Sequence, residues 1–276
     1  MTDLSMQDHG DTIAVLGAGK MGEALISGLL KAGLPAEKLV ITERYPARAR
    51  EMTERYQVRA VSNLEAAKAA DTLVLAVKPQ DMDDLLTELS PAVTPERLVV
   101  TIAAGITTSA IERRLVEGVP VIRVMPNTPA LVGEAMSVLA PGSNATEEHL
   151  ARAEAIFRPV GKVLRLPESQ LDAVTALSGS GPAYVFFLVE AMTDAGILLG
   201  LPRSVAHDLI VQTIYGSAVM LRESGEHPVA LREAVTSPGG TTIAAIRELE
   251  RHGVRAALLA ALEAARDRSR QLAGGQ

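Results

Sequence analysis

TIAVLGAGKMGEALISGLLKAG, residues 12–33, joins a short apolar run to an apolar helical pattern through Gly17-Ala18-Gly19-Lys20-Met21-Gly22. TIAVL reads as a buried strand and KMGEALISGLLKAG as a helix, so the glycines lie at a strand-to-helix joint. There the first glycine permits the tight turn, the second lets a pyrophosphate approach the backbone, and the third lets helix and strand pack closely. The first N–H groups of the helix then aim at the anion. This context marks a dinucleotide-binding unit with Gly17, Ala18, Gly19, Lys20 and Met21 as contacts. Glu43 follows about 20 residues on, at the end of the next strand, where a ribose contact is expected. Glu43 would accept hydrogen bonds from a free 2′-hydroxyl and repel a 2′-phosphate, whereas Arg44 beside it would clamp that phosphate. The pair argues for NADH and for NADPH alike, and a solvated charge pair is the plainer alternative.

Outward from this stretch, β-rich apolar runs alternate with helical patterns up to about residue 166. The runs are LVIT (39–42), TLVLAV (72–77), RLVVTIAA (97–104) and PVIRVM (120–125), with weaker ones at AMSVLA and GKVLRL. That rhythm predicts an α/β Rossmann-type domain with a parallel sheet over residues 1–166. From Pro167 the strand signal stops, and helical stretches are expected at 168–177, 182–199, 203–223, 229–236 and 242–271. Residues 167–276 therefore read as an all-α domain, with the boundary drawn from the change of period. Open α/β sheets bind ligands at the carboxyl ends of their strands, where this chain has Ala76-Val77-Lys78-Pro79, Ala103-Ala104-Gly105 and Met125-Pro126-Asn127-Thr128-Pro129. Small residues there let a flat nicotinamide lie against backbone, although each tract taken singly is an ordinary turn.

Composition excludes several classes of function. The 276 residues are 47% hydrophobic with a net charge of −6 and no cysteine, which rules out disulfides, thiolate metal ligands and a cysteine nucleophile. No dense Lys/Arg cluster offers a grip on nucleic acid. The polar start MTDLSMQDHGD lacks the blocks of a signal peptide, and no apolar run is read as approaching a bilayer span, so a cytoplasmic protein without a membrane contact is expected. His9, His149, His207, His227 and His252 are scattered, and no metal site is expected.

The helical half is interrupted by Ser237-Pro238-Gly239-Gly240-Thr241-Thr242. Pro-Gly-Gly bends the backbone, and the threonines start a helix whose first N–H groups have no intrahelical partner. Such a terminus binds a carboxylate without an arginine, and a threonine hydroxyl beside it can bond a nitrogen of the same small molecule. Simple N-capping by Ser237 or Thr241 is the alternative. All six lysines, from Lys20 to Lys162, precede the helical half, which argues against a hydroxyacid dehydrogenase carrying a catalytic lysine there. A reductase without an evident acid–base residue suits a protonated imine, whose carbon is already electrophilic and whose nitrogen carries its own proton.

LREAVTSPGGTTIAAIRELE (231–250) and LDAVTALSGSGPAY (171–184), together with GAGKMG and AVKP, closely resemble the pyrroline-5-carboxylate reductases over nearly the whole chain. The resemblance implies reduction of 1-pyrroline-5-carboxylate to L-proline by NADPH or NADH, the family leaning to NADPH. By motif position it makes Thr242 the catalytic hydrogen-bond partner of the ring nitrogen and assigns the carboxylate to the amides of Gly240, Thr241 and Thr242. Glu168 is implied near the substrate and Asn63 at the adenosine half. Ala76, Val77, Lys78, Pro79 and Ala104 are implied farther along the dinucleotide, and Val235 and Ser237 beside the nicotinamide and substrate. Two departures stand out. Ala234 replaces an asparagine of several relatives, and Glu43-Arg44 replaces small hydroxyl residues near the 2′-phosphate. The resemblance also implies a homodimer through the helical domain, with a decamer of dimers as the larger form. Tyr184, Phe186 and Phe187 fall on a helix apolar around much of its circumference. A hydroxyacid dehydrogenase of similar build and a nonenzymatic nucleotide-sensing module are the competing readings.

Overall fold

The computed structural model describes residues 10–274; the polar start, with His9, lies outside them. Eight strands form one sheet: β1 (Ile13–Leu16), β2 (Leu39–Thr42), β3 (Arg59–Ala60), β4 (Thr72–Leu75), β5 (Leu98–Thr101), β6 (Val121–Met125), β7 (Ala135–Pro141) and β8 (Gly161–Arg165). Their order is β3-β2-β1-β4-β5-β6-β7-β8, parallel throughout except where β6 meets β7. The first six strands thus run 3-2-1-4-5-6, and the chain reverses direction of growth between β1 and β4.

Helices cover both faces: α1 (Lys20–Lys31), α2 (Pro46–Tyr56), α3 (Asn63–Ala69), α4 (Met82–Leu89), α5 (Thr108–Glu112) and α6 (Glu147–Phe157). Alternation along β1 shows how one strand serves two cores. Ile13 and Val15 pack with Leu25, Ile26 and Phe157 on one side, while Ala14 and Leu16 pack with Leu73, Leu86 and Ile111 on the other. The sequence did not announce β3. It has two exposed residues and is held by pairing with β2 rather than by a buried face.

The chain divides into two compact units, residues 1–180 with 265–276, and residues 181–264. This division falls later than the change of period at 166/167. Beyond Pro167 a short 3-10 turn (Glu168–Gln170), α7 (Leu171–Val174) and a π turn (Thr175–Gly179) stay with the first unit. Their anchor is Leu171, fully buried against Met125, Val138 and Ala140. The last turns of α12 (Val254–Gly274) return to the same unit, where Ser269 Oγ donates to Asp172 Oδ1 at 2.7 Å.

The second unit contains α8 (Gly181–Leu198), α9 (Arg203–Ser224), α10 (Pro228–Ala234), α11 (Thr241–Arg251) and the start of α12. α8 and α9 approach so closely that a Cβ on Gly196 would lie 2.7 Å from that of Ala206. Buried residues in α8–α11 are confined to Thr193, Ala206 and Ile210. Large apolar side chains remain outside, among them Phe186 at 67%, Phe187 at 69% and Tyr215 at 64% exposure.

Two expectations are corrected. The single helix expected over 242–271 is two, because Gly253, at φ +67, ends the run after Arg251 in the left-handed conformation that favours glycine. The run Glu168–Leu198 is long and apolar enough, by length and composition, to cross a membrane. The sequence pattern hid it because the SGSG tract at 178–181 reads as a break, whereas the backbone carries a π turn through the first two of these residues and resumes α at Gly181.

Candidate active site

The glycine joint is built as its spacing requires. Gly17 has φ +102, and a Cβ there would meet the Ala76 carbonyl carbon at 2.9 Å. At Gly22 a Cβ would collide with the Gly17 carbonyl oxygen at 2.2 Å, so only glycine lets α1 sit down on the turn. Gly19 is different: nothing lies within 4 Å of its Cβ position, it is exposed and extended, and it N-caps α1 without any side-chain cap. The open side of Gly19 and the bare amides of the first turn leave room and donors for a pyrophosphate, so the residues present fit a dinucleotide. Lys20 beside them is exposed, and Met21 packs partly against the core.

Ala18, wholly buried, is held from two directions. Its N–H donates to Glu43 Oε2 at 3.0 Å, and its carbonyl accepts from Arg48 Nε at 3.0 Å. Glu43 Oε1 also accepts from the Tyr45 N–H at 3.0 Å, so both oxygens of the residue expected at the ribose already serve backbone donors. Arg48 further reaches Glu23 on α1 and Glu51 on α2. Glu23 also accepts from Arg55 and from the Tyr56 hydroxyl, each at 2.8 Å. Burial by itself would raise the Glu23 carboxyl. Hydrogen bonds from Arg48 and Tyr56 and the charges of Arg48 and Arg55 outweigh it and hold the group below the ordinary carboxylate range. Neither Arg48 nor Glu23 was legible from the sequence, where they look like helix-surface charges.

The other expected coenzyme residues gather along the same carboxyl edge. Arg44 follows β2, is 80% exposed, and faces Asp81 at 3.6 Å. Ala76 and Val77 leave β4 half-buried, followed by exposed Lys78 and by Pro79, which opens a short 3-10 turn. Ala104 is exposed just beyond β5. Asn63 opens α3 behind a Ser62–Glu65 capping box and donates to Glu88 Oε2 at 2.8 Å.

Glu168 has its partners within the first unit. It accepts from the Thr108 N–H at 2.9 Å, from the Thr108 hydroxyl at 2.6 Å, and from Arg123 Nη1 at 3.2 Å. Arg123, on β6, is 3% exposed, and its Nε and Nη2 have no partner among the described residues. A buried arginine within an apolar strand was the signal available in VIRVM, but nothing in the sequence paired it with Glu168. Asn127 ties the β6–β7 connection to the π turn, donating to Ser178 and accepting from the Met136 N–H.

In the second unit the SPGGTT joint has Gly239 at φ +68 and Gly240 as the N-cap of α11, with no side-chain cap bond. Neither Ser237 nor Thr241 caps the helix, which removes the simpler explanation of the motif. Gly240 N–H instead donates to the Ser237 carbonyl at 3.1 Å, and a Cβ on Gly240 would lie 2.5 Å from Ser237 Oγ. The hydroxyls of exposed Thr241 and half-buried Thr242 thus stand beside an uncapped turn of amides. Val235 and Ser237 are exposed at the preceding bend.

Comparison with known proteins agrees with both halves of this geometry. A family model described as pyrroline-5-carboxylate reductase dimerisation matches residues 168–272, and one described as NADP oxidoreductase, coenzyme F420-dependent, matches residues 12–105. A pyrroline-5-carboxylate reductase of Mycobacterium tuberculosis is 48% identical, covering 94% of this chain and 96% of its own. The solved structure of the reductase from Coxiella burnetii aligns with a TM-score of 0.90 at 36% identity, covering 95% of this chain and 98% of that one. The Plasmodium falciparum pyrroline carboxylate reductase, solved with NADP bound, aligns with a TM-score of 0.86 at 30% identity over 96% of this chain and 98% of its own.

Proposed function

The chain belongs to the pyrroline-5-carboxylate reductase family, and from that membership we infer that it carries hydride from NAD(P)H to the C=N bond of 1-pyrroline-5-carboxylate, giving L-proline. It is an oxidoreductase of proline biosynthesis. The curated relatives support this reading and not the competing dehydrogenase and sensor readings.

Residues 1–166 are proposed as the dinucleotide-binding part and 167–276 as the part that binds substrate and a second copy. On the first, Gly17 to Met21 would take the pyrophosphate, Glu43, Arg44 and Asn63 the adenosine half, and Ala76, Val77, Lys78, Pro79 and Ala104 the stretch toward the nicotinamide. What supports this is the clearance at Gly19 beside uncapped α1 amides. NAD(P)H, when bound, supplies the hydride.

The observation that carries the substrate assignment is the glycine-capped start of α11. Amides of Gly240, Thr241 and Thr242 would hold the carboxylate, because a helix start offers unpaired donors and partial positive charge. The Thr242 hydroxyl would orient the ring nitrogen. The iminium brings its own proton, so hydride addition at carbon yields the secondary amine without a general acid, and the amine then takes a proton from solvent. Glu168, which the resemblance puts near the substrate, is proposed to border its site, held by hydrogen bonds from Thr108 and Arg123.

Self-association is supported by the apolar side chains left uncovered on α8 and α9, a homodimer being the proposed form and a decamer of dimers the larger assembly. The dimerisation family model over residues 168–272 supports a protein partner rather than a bilayer for the run Glu168–Leu198. A cytoplasmic site of action is part of the same proposal.

The test is NAD(P)H oxidation with 1-pyrroline-5-carboxylate in wild type and Thr242→Ala. Turnover should fall about tenfold, the loss of one transition-state hydrogen bond, with coenzyme affinity unchanged. Wild-type steady-state constants in the variant would remove Thr242 from the mechanism.

A further inference from the structure

An arginine beside a nucleotide loop is ordinarily assigned to phosphate. Arg48 is built otherwise, because each of its nitrogens is already committed: Nε to the Ala18 carbonyl at 3.0 Å, Nη1 to Glu51 at 2.8 Å, and Nη2 to Glu23. Two carboxylates neutralise the guanidinium, and its side chain is only 25% exposed. What it offers the loop is a fixed N–H donor aimed at one carbonyl.

A trans peptide is planar, and its carbonyl and N–H point in opposite directions. Holding the Ala18 oxygen from the α2 side therefore turns the Gly19 N–H away from α2, and Gly19 has nothing within 4 Å of its Cβ position. Glu43 holds the preceding peptide in the same way through the Ala18 N–H. Two consecutive peptides are thus set before any ligand arrives, and an ordered donor spares the entropy of ordering it on binding.

We propose that Arg48 is a positioning residue for the coenzyme: it orients the Ala18–Gly19 peptide so that the Gly19 N–H meets the pyrophosphate, and it contacts no phosphate itself. The proposal rests on the coenzyme reading of the glycine loop given above. Because the pyrophosphate is common to both coenzymes, Arg48 supports NADH and NADPH equally and has no part in choosing between them.

The experiment is calorimetric titration of the substrate-free protein with NADP+ and with NAD+, in wild type, Arg48→Met, Arg48→Lys and Gly19→Ala. Arg48→Met keeps the apolar stem and removes the donors. It should weaken both coenzymes by the same factor, about tenfold for a charge-assisted hydrogen bond, with kcat at saturating coenzyme and the KM for pyrroline carboxylate unchanged. A role confined to stability would not separate these quantities. Arg48→Lys, with one compact ammonium in place of the fork, should fall between, and it carries the test if the methionine variant does not fold. Weakening of NADP+ alone would make Arg48 a 2′-phosphate ligand and overturn the proposal. Unchanged affinity in both Arg48 variants, with Gly19→Ala weakened, would overturn it while leaving the loop as the coenzyme site. Unchanged affinity in Gly19→Ala as well would remove the coenzyme reading together with the proposal.

Discussion

Arg123 Nη1 lies 3.2 Å from Glu168 Oε1, joining a β6 arginine that is 4% exposed at its side chain to the residue that opens the helical half of the chain. Removing one member of a buried ion pair leaves the other without compensation, at a cost of about 3–5 kcal/mol. Glu168→Ala is therefore expected to destabilise the protein by about 3 kcal/mol, allowing for the partial exposure of Glu168, as read from urea unfolding. Retained stability with a raised KM for pyrroline carboxylate would return Glu168 to direct substrate contact.

Arg44 and Asp81 bear on coenzyme choice. Arg44 is flanked by two carboxylates, Glu43 in sequence and Asp81 at 3.6 Å, and an exposed pair of this kind is worth at most about 1 kcal/mol. Asp81→Asn should free Arg44 for a 2′-phosphate and shift the NADPH-to-NADH ratio of kcat/KM up by as much as about fivefold, more at low salt than at high. Arg44→Ala should lower that ratio and erase the effect of Asp81→Asn, and ratios untouched by either change would remove both residues from discrimination.

Two carboxylates link stability to acid. Glu23 is held low by its arginines and Tyr56 against the opposing effect of burial. Glu154 is held low by the Arg165 hydrogen bond, with burial opposing and Arg158 assisting. A folded-state value below the unfolded one gives stability that is fully present above the ordinary 4.5 and lost as pH falls through the lowered values. The gap in urea midpoint between wild type and Glu23→Gln or Glu154→Gln should therefore be widest near neutral pH and close as the pH falls below 4.5. A gap constant across that range would contradict the linkage.

Phe186 and Phe187 are exposed at 67% and 69% in the single chain. A charge in the centre of an apolar interface costs several kcal/mol on association, so Phe186→Asp should move the protein toward monomer in sedimentation velocity. An unchanged sedimentation coefficient would place the interface elsewhere.

The Rossmann architecture, the glycine turn and the helix start at the threonines were legible in the residues alone, because each depends on local spacing: period two, period 3.6, and glycines at bends; that neither Ser237 nor Thr241 caps this start was settled by the fold. Gly17, Gly22 and the Gly239-Gly240 bend are legible for that reason. Tertiary structure alone decided which charges meet. Arg48 reaches Ala18 and Glu23, and Glu168 reaches Thr108 and Arg123, across separations of 25 to 60 residues. It also keeps the segment after Pro167 with the sheet as far as Ser180, since Leu171 finds its burial there. Long polar side chains leave no periodic trace of their partners; those are chosen by how the sheet and helices pack, which no local pattern records.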